Sequence, residues 1–162
     1  MRIKKILNET VTLLISQNTN SISILLVEDN PADARLILEF FKDINIKNSI
    51  HIVHDGMEAR NFLFKQCKSD MDNPDLIILD LNLPRISGRE ILKEIKEDKE
   101  LKTIPVLILT TSEASEDIKE CYDHYANCYL IKPVDFDEFT KIMESIKNFW
   151  FNKVELPPQT MN

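Results

Sequence analysis

Leu76-Ile77-Ile78-Leu79 is an unbroken apolar run closed by a carboxylate, Asp80. Two more runs have the same form: Ile24-Leu25-Leu26-Val27 before Glu28-Asp29, and Val106-Leu107-Ile108-Leu109 before Thr110-Thr111. Four apolar residues without alternation mark a strand buried on both faces, as in the middle of a parallel sheet covered by helices. Ile50–Val53 and Cys128–Ile131 contain polar or aromatic residues and read as edge strands.

Helical stretches separate these strands. Asn30-Pro31 puts a capping side chain ahead of a proline at the first helical position. Ser87-Gly88-Arg89-Glu90 and Asp135-Phe136-Asp137-Glu138 read as capping boxes or close variants. Ala34, Leu36, Ile37, Phe40 and Phe41 form a stripe that faces a sheet, and Phe136, Phe139, Ile142, Met143, Ile146 and Trp150 form another. Strand and helix alternate five times from Ile22 to about Trp150. Repeated β-then-α units require right-handed crossovers, which gives an α/β fold: a (βα)5 doubly wound parallel five-stranded sheet.

At 162 residues the chain suits one domain. Residues 22–151 are expected to form it, with 1–21 as an N-terminal extension and 152–162 as a short tail broken by Pro157-Pro158. The extension reads equally as a flexible arm, a short added helix or a misread start. No output domain is expected after it.

Hydrophobic residues at 43% and charged residues at 29% place the chain among globular proteins. A net charge of −7, from 20 basic and 27 acidic side chains, disfavours nucleic acid and anionic lipid as partners. Met1–Lys5 has the charge of a signal-peptide start, but Asn8, Glu9, Thr10 and Thr12 interrupt the apolar stretch beyond it, so neither a secretory signal nor a membrane span is expected. Cys67, Cys121 and Cys128 have no C-x-x-C pair and read as reduced thiols of a cytoplasmic protein. His51, His54 and His124 show no ligand pattern. With only 2 glycines there is no glycine-rich phosphate loop.

The residues after the apolar runs carry the chemistry. In an open parallel sheet, ligands bind outside the carboxyl ends of the strands. Glu28-Asp29, Asp80, Thr110-Thr111 and Lys132-Pro133 each come after a different run. Alone, each reads as a turn or cap; together they put three carboxylates, hydroxyls and an amine on one sheet edge. Clustered carboxylates repel unless a cation binds or one is protonated. Oxygen-only ligands favour Mg²⁺, which commonly adds phosphate oxygens to its shell. A carboxylate beside a lysine and such a cation can attack a phosphoryl donor in line.

The order Ile24–Asn30, Leu79-Asp80-Leu81-Asn82-Leu83-Pro84, Leu109-Thr110-Thr111, Ile131-Lys132-Pro133, with His54–Ala59, resembles the receiver domains of two-component response regulators from about Ile22 to Trp150. The resemblance implies the flavodoxin-like strand order 2-1-3-4-5. It implies Asp80 as phosphoacceptor, and Glu28, Asp29, Asp80 and the Asn82 main-chain carbonyl as Mg²⁺ ligands. Thr110, Thr111 and Lys132 would bind the phosphoryl group, Thr110 and Tyr129 would form the switch, and the bond to Pro133 would be cis. It further implies a sensor histidine kinase or phosphotransfer protein as partner, and a phosphoacceptor rather than an enzyme. Where receivers often have Gly-Ala before the fifth strand, this chain has Tyr125-Ala126.

Three other readings compete. A haloacid-dehalogenase-type phosphatase wants an acid two residues after the nucleophile, where this chain has Asn82. A nucleotide or flavin binder lacks its glycine loop. A phosphorylation-independent pseudo-receiver usually lacks the acceptor, an acid or the lysine, and all are present. The aromatic end Phe149-Trp150-Phe151 and the long linker Lys65–Asn73 look similar to the small regulators paired with phytochrome-type kinases. Three consecutive aromatics fan wider than one helical face, so a homodimer surface is expected there.

Overall fold

The computed structural model describes residues 22–42, 48–65 and 73–158. Among the described residues, five strands alternate with five helices: β1 (Ile22–Val27), α1 (Pro31–Lys42), β2 (Asn48–Val53), α2 (Gly56–Lys65), β3 (Leu76–Leu79), α3 (Gly88–Glu97), β4 (Val106–Thr110), α4 (Ser115–Asp123), β5 (Cys128–Ile131) and α5 (Phe136–Ile146). All strand pairs are parallel and the order is β2-β1-β3-β4-β5. The three unbroken apolar runs are the three central strands, and every residue of β3 and β4 is buried. The extension 1–21, Cys67 and most of the linker Lys65–Asn73 lie outside the described residues.

Alternate residues of each central strand serve opposite faces. Leu25, Val27, Ile77, Leu79 and Ile108 pack with Ala59 and Leu63 of α2, Ile91 and Ile95 of α3, and Cys121 of α4. Ile24, Leu26, Ile78, Leu107 and Leu109 pack with Ile37 and Phe41 of α1 and Phe139, Met143 and Ile146 of α5. Both faces of the sheet are thus covered, which is why these strands need no polar side.

The caps match the sequence patterns. Asn30 Oδ1 accepts from the N–H groups of Ala32 and Asp33 at 2.9 and 3.4 Å. Ser87 and Glu90 form a reciprocal capping box, and Asp135 accepts from Glu138 N–H. At the end of α4 the chain turns through a left-handed residue, Tyr125, with φ 60°. Ala126 N–H donates to the Cys121 carbonyl and Tyr125 N–H to that of Tyr122, the bond pattern of a Schellman motif. A tyrosine here occupies the backbone position that glycine holds most cheaply.

Three expectations are corrected. The structure contains no cis peptide bond among the described residues, so Lys132–Pro133 is trans. An X–Pro bond prefers trans by about 0.5–1 kcal/mol, and strand pairing already carries Lys132 to the sheet edge. Phe136 does not pack on the sheet: as the first residue of α5 it faces solvent. The aromatic surface also narrows. A π-helical turn at Lys147–Phe151 swings Phe151 onto Phe41, ring centroids 5.5 Å apart, and Trp150 onto the same core face. Of the three aromatics only Phe149 stays exposed, at 56%.

Candidate functional site

The ladder hydrogen bonds run one residue past the strands and fix the site backbone. Asp80 N–H donates to Val27 O at 3.0 Å, Glu28 N–H to Val53 O at 3.0 Å, and Lys132 N–H to Thr110 O at 2.7 Å. Parallel register then brings Glu28, Asp80, Thr110 and Lys132 to one edge although 104 residues separate the first from the last.

Glu28, Asp80 and Lys132 are 1%, 5% and 7% exposed, so this is a buried ionic cluster and not a surface acidic patch. Lys132 Nζ donates to Asp80 Oδ2 at 2.8 Å, to Glu28 Oε2 in a very short contact, and to Asp33 Oδ2 at 3.1 Å. Glu28, Asp29 and Asp80 each offer an oxygen within 4.8 Å of the others. Burial, opposed by the Lys132 hydrogen bond and charge and aided by Asp80, pushes the Glu28 carboxyl up to about 7. Burial works against the Lys132 ammonium, but Asp80 and Glu28 more than offset it and hold it charged well above the usual lysine range. One lysine does not neutralise this many carboxylates, and an all-oxygen set with excess negative charge fits a hard divalent cation such as Mg²⁺.

The surroundings hold the Asp80 carboxylate still. Asn82 N–H donates to Asp80 Oδ1 at 3.0 Å, and Asn82 Nδ2 reaches Thr110 Oγ1 and Thr111 Oγ1 at 3.5 and 3.4 Å. Thr110 is buried and Thr111 exposed. Ser112 N–H donates to Thr110 Oγ1 at 3.4 Å, while Ser112 O accepts from the half-buried Tyr129 hydroxyl at 3.1 Å. The threonine and the tyrosine therefore share one tether, the β4–α4 loop.

Three features escaped the sequence reading. Asp33 is a third partner of Lys132; its only signal was a place in the first turn after the Asn30 cap. Gly88 lets α3 press on the Asp80 backbone: a Cβ there would lie 2.1 Å from the Asp80 carbonyl oxygen. Gly56 is as crowded, 2.0 Å from Ile86 O, so both glycines of the chain serve close approach to the loop after Asp80. Finally, Arg85, left-handed at φ 68°, ion-pairs with the buried carboxylate of Asp55 and ties that loop to the start of α2.

A five-stranded (βα)5 domain with an acidic, lysine-bearing cluster at the carboxyl edge of its sheet defines an open, doubly wound α/β domain whose site lies at the strand ends. The sequence profile described as "Response regulator receiver domain" matches residues 24–144. Response regulator Rcp1 of Synechocystis sp. is 44% identical over 135 residues, covering 83% of this chain and 92% of that protein. The crystal structure of its Mn²⁺-bound form superposes with a TM-score of 0.80 at 42% identity, covering 85% of this chain and 99% of that one. The phosphorylated cyanobacterial phytochrome response regulator RcpA gives a TM-score of 0.81 at 43% identity, with the same coverage. The chain belongs to the response regulator receiver domain family. Among the described residues, no helix is long and apolar enough to cross a membrane.

Proposed function

We propose that this protein is a two-component response regulator that takes a phosphoryl group on Asp80 from a histidine kinase or phosphotransfer protein. One observation carries the reading: the Asp80 carboxylate, buried at a strand end, lies 2.8 Å from the Lys132 ammonium inside the acidic group Glu28, Asp29, Asp80. Bound Mg²⁺ would supply the charge that admits a phosphate among these carboxylates, with the three side chains and the Asn82 carbonyl as its protein ligands. An Asp80 oxygen forms the new bond to phosphorus as the P–N bond of a phosphohistidine, protonated on its other ring nitrogen, breaks; the electron pair stays with the ring, which leaves as neutral imidazole. Lys132 pairs with a phosphoryl oxygen, and the Thr110 and Thr111 hydroxyls lie on the same edge.

The shared tether at Ser112 supports a switch. When Thr110 turns towards the phosphoryl group, its hold on Ser112 changes, and with it the anchor of Tyr129. The signal then leaves by protein contact. The phosphorylation-independent reading is not favoured, since acceptor, acid pair and lysine are all in place. Similarity to RcpA supports a phytochrome-type kinase as the donor's source and a cytoplasmic setting for the work, with residues 22–151 as the functional unit. The exposed Phe149 supports a homodimer contact at the C-terminal helix. The protein acts as a phosphoacceptor, not as a multiple-turnover enzyme.

The test is phosphorylation of the purified protein by a small phosphodonor with Mg²⁺, then mapping of the acyl phosphate. Label on Asp80 is expected, and undiminished label in Asp80→Asn would overturn the assignment.

A further inference from the structure

We propose that Asp33 is a positioning residue for Lys132, holding its ammonium over the acceptor independently of the metal-binding carboxylates. This rests on the phosphoacceptor reading above. Lys132 Nζ has three donors, and three carboxylates take them: Glu28, Asp80 and Asp33. Two of these belong to the acidic group whose oxygens lie within 4.8 Å of one another; Asp33 does not. A cation entering that group draws Glu28 and Asp80 towards itself, and a phosphoryl group alters Asp80. Asp33 is the partner that neither event claims.

Its placement suits the task. Asp33 sits in the first turn of α1, on the carboxyl edge of the sheet, and Asn30 caps the same turn by accepting from Ala32 and Asp33 N–H. The cap fixes the backbone from which the Asp33 side chain reaches across 99 residues of sequence to Lys132. Its side chain is 32% exposed against 2% for Glu28, so it stands at the rim and braces the lysine from outside. An acidic residue in a first helical turn commonly does no more than complement the helix dipole, worth about 0.3–1 kcal/mol. A direct ion pair to a buried lysine from another element goes beyond that.

Two variants test the idea: Asp33→Ala, which removes the acceptor oxygen, and Asp33→Asn, which keeps one. The first measurement needs no phosphorylation: acylation of Lys132 by an amine-reactive acetylating reagent, mapped by mass spectrometry, without metal and in Mg²⁺. Asp33→Ala should acylate faster at Lys132 by several-fold, most clearly in Mg²⁺, and Asp33→Asn should restore most of the protection. The second is the phosphorylation rate at saturating phosphodonor and Mg²⁺, which should fall about tenfold in Asp33→Ala, less than the roughly hundredfold that a misplacement of about 1 Å can cost, and recover in Asp33→Asn. Mg²⁺ affinity by calorimetry should change by the same factor in both variants, since each removes one negative charge within a few ångströms of the acidic group whether or not an acceptor oxygen remains. Wild-type protection of Lys132 in Asp33→Ala overturns the proposal, as does a rate that stays as low in Asp33→Asn as in Asp33→Ala, which would make Asp33 act through its charge on the metal group instead of through its oxygen on Lys132. A wild type that takes no label defeats the phosphoacceptor reading instead, and the acylation result then decides Asp33 alone.

Discussion

Glu28 should make the metal-free protein less stable at neutral pH than at mildly acidic pH, and Glu28→Gln should remove that dependence. Glu28 is 1% exposed, and burial, only partly answered by Lys132, raises its carboxyl from 4.5 to about 7. Between those values the folded protein keeps a proton that the unfolded chain has released. Stability from this group is therefore full below pH 4.5 and is lost as pH rises through 7. At 1.36 kcal/mol per pH unit the whole interval is worth about 3 kcal/mol, and the part between pH 5 and 8 about 2–3 kcal/mol. The Gln side chain is neutral throughout and keeps an oxygen that accepts from Lys132. Urea unfolding in EDTA at intervals from pH 5 to 8 should show wild type losing that amount and Glu28→Gln staying flat, so the variant is the more stable protein at pH 8. Millimolar Mg²⁺ should abolish the wild-type slope, because the cation takes the proton's place, and leave the variant unmoved. Parallel slopes for the two proteins would refute the reasoning, since the titrating group would then lie elsewhere.

Tyr125→Gly should stabilise the protein by about 1 kcal/mol, raising Tm by about 2–4 °C in thermal unfolding, because glycine holds the left-handed position of the Schellman turn without a Cβ penalty. Gly88→Ala should cost roughly 1–3 kcal/mol and weaken Mg²⁺ binding in calorimetry, since its Cβ must displace the Asp80 carbonyl; unchanged metal affinity would show that α3 does not set the position of Asp80. Phe151→Ser should destabilise by about 1–3 kcal/mol by emptying its half-buried place against Phe41. Phe149→Ser should leave stability within about 0.5 kcal/mol and, by light scattering, shift a homodimer to monomer.

The arrangement of strands was legible in the sequence for a local reason. A strand buried on both faces must be apolar at every position, so Ile24–Val27, Leu76–Leu79 and Val106–Leu109 declared themselves central, and the mixed runs declared themselves edges. Carboxylates, hydroxyl and lysine directly after those runs declared a site, because a parallel sheet brings all its carboxyl ends to one side. Capping boxes were legible too, being patterns confined to one short stretch of chain, as in Ser87-Gly88-Arg89-Glu90. Tertiary structure alone decided what meets across elements. Asp33 reaches Lys132, Gly88 admits the Asp80 backbone, and Phe151 turns inward while Phe149 does not. None of these leaves a periodic trace, since each depends on the distance and rotation at which one finished element packs on another. The Lys132–Pro133 bond belongs with them: its two isomers differ by only about 1 kcal/mol, too little for local sequence to choose between, so the surrounding packing chooses.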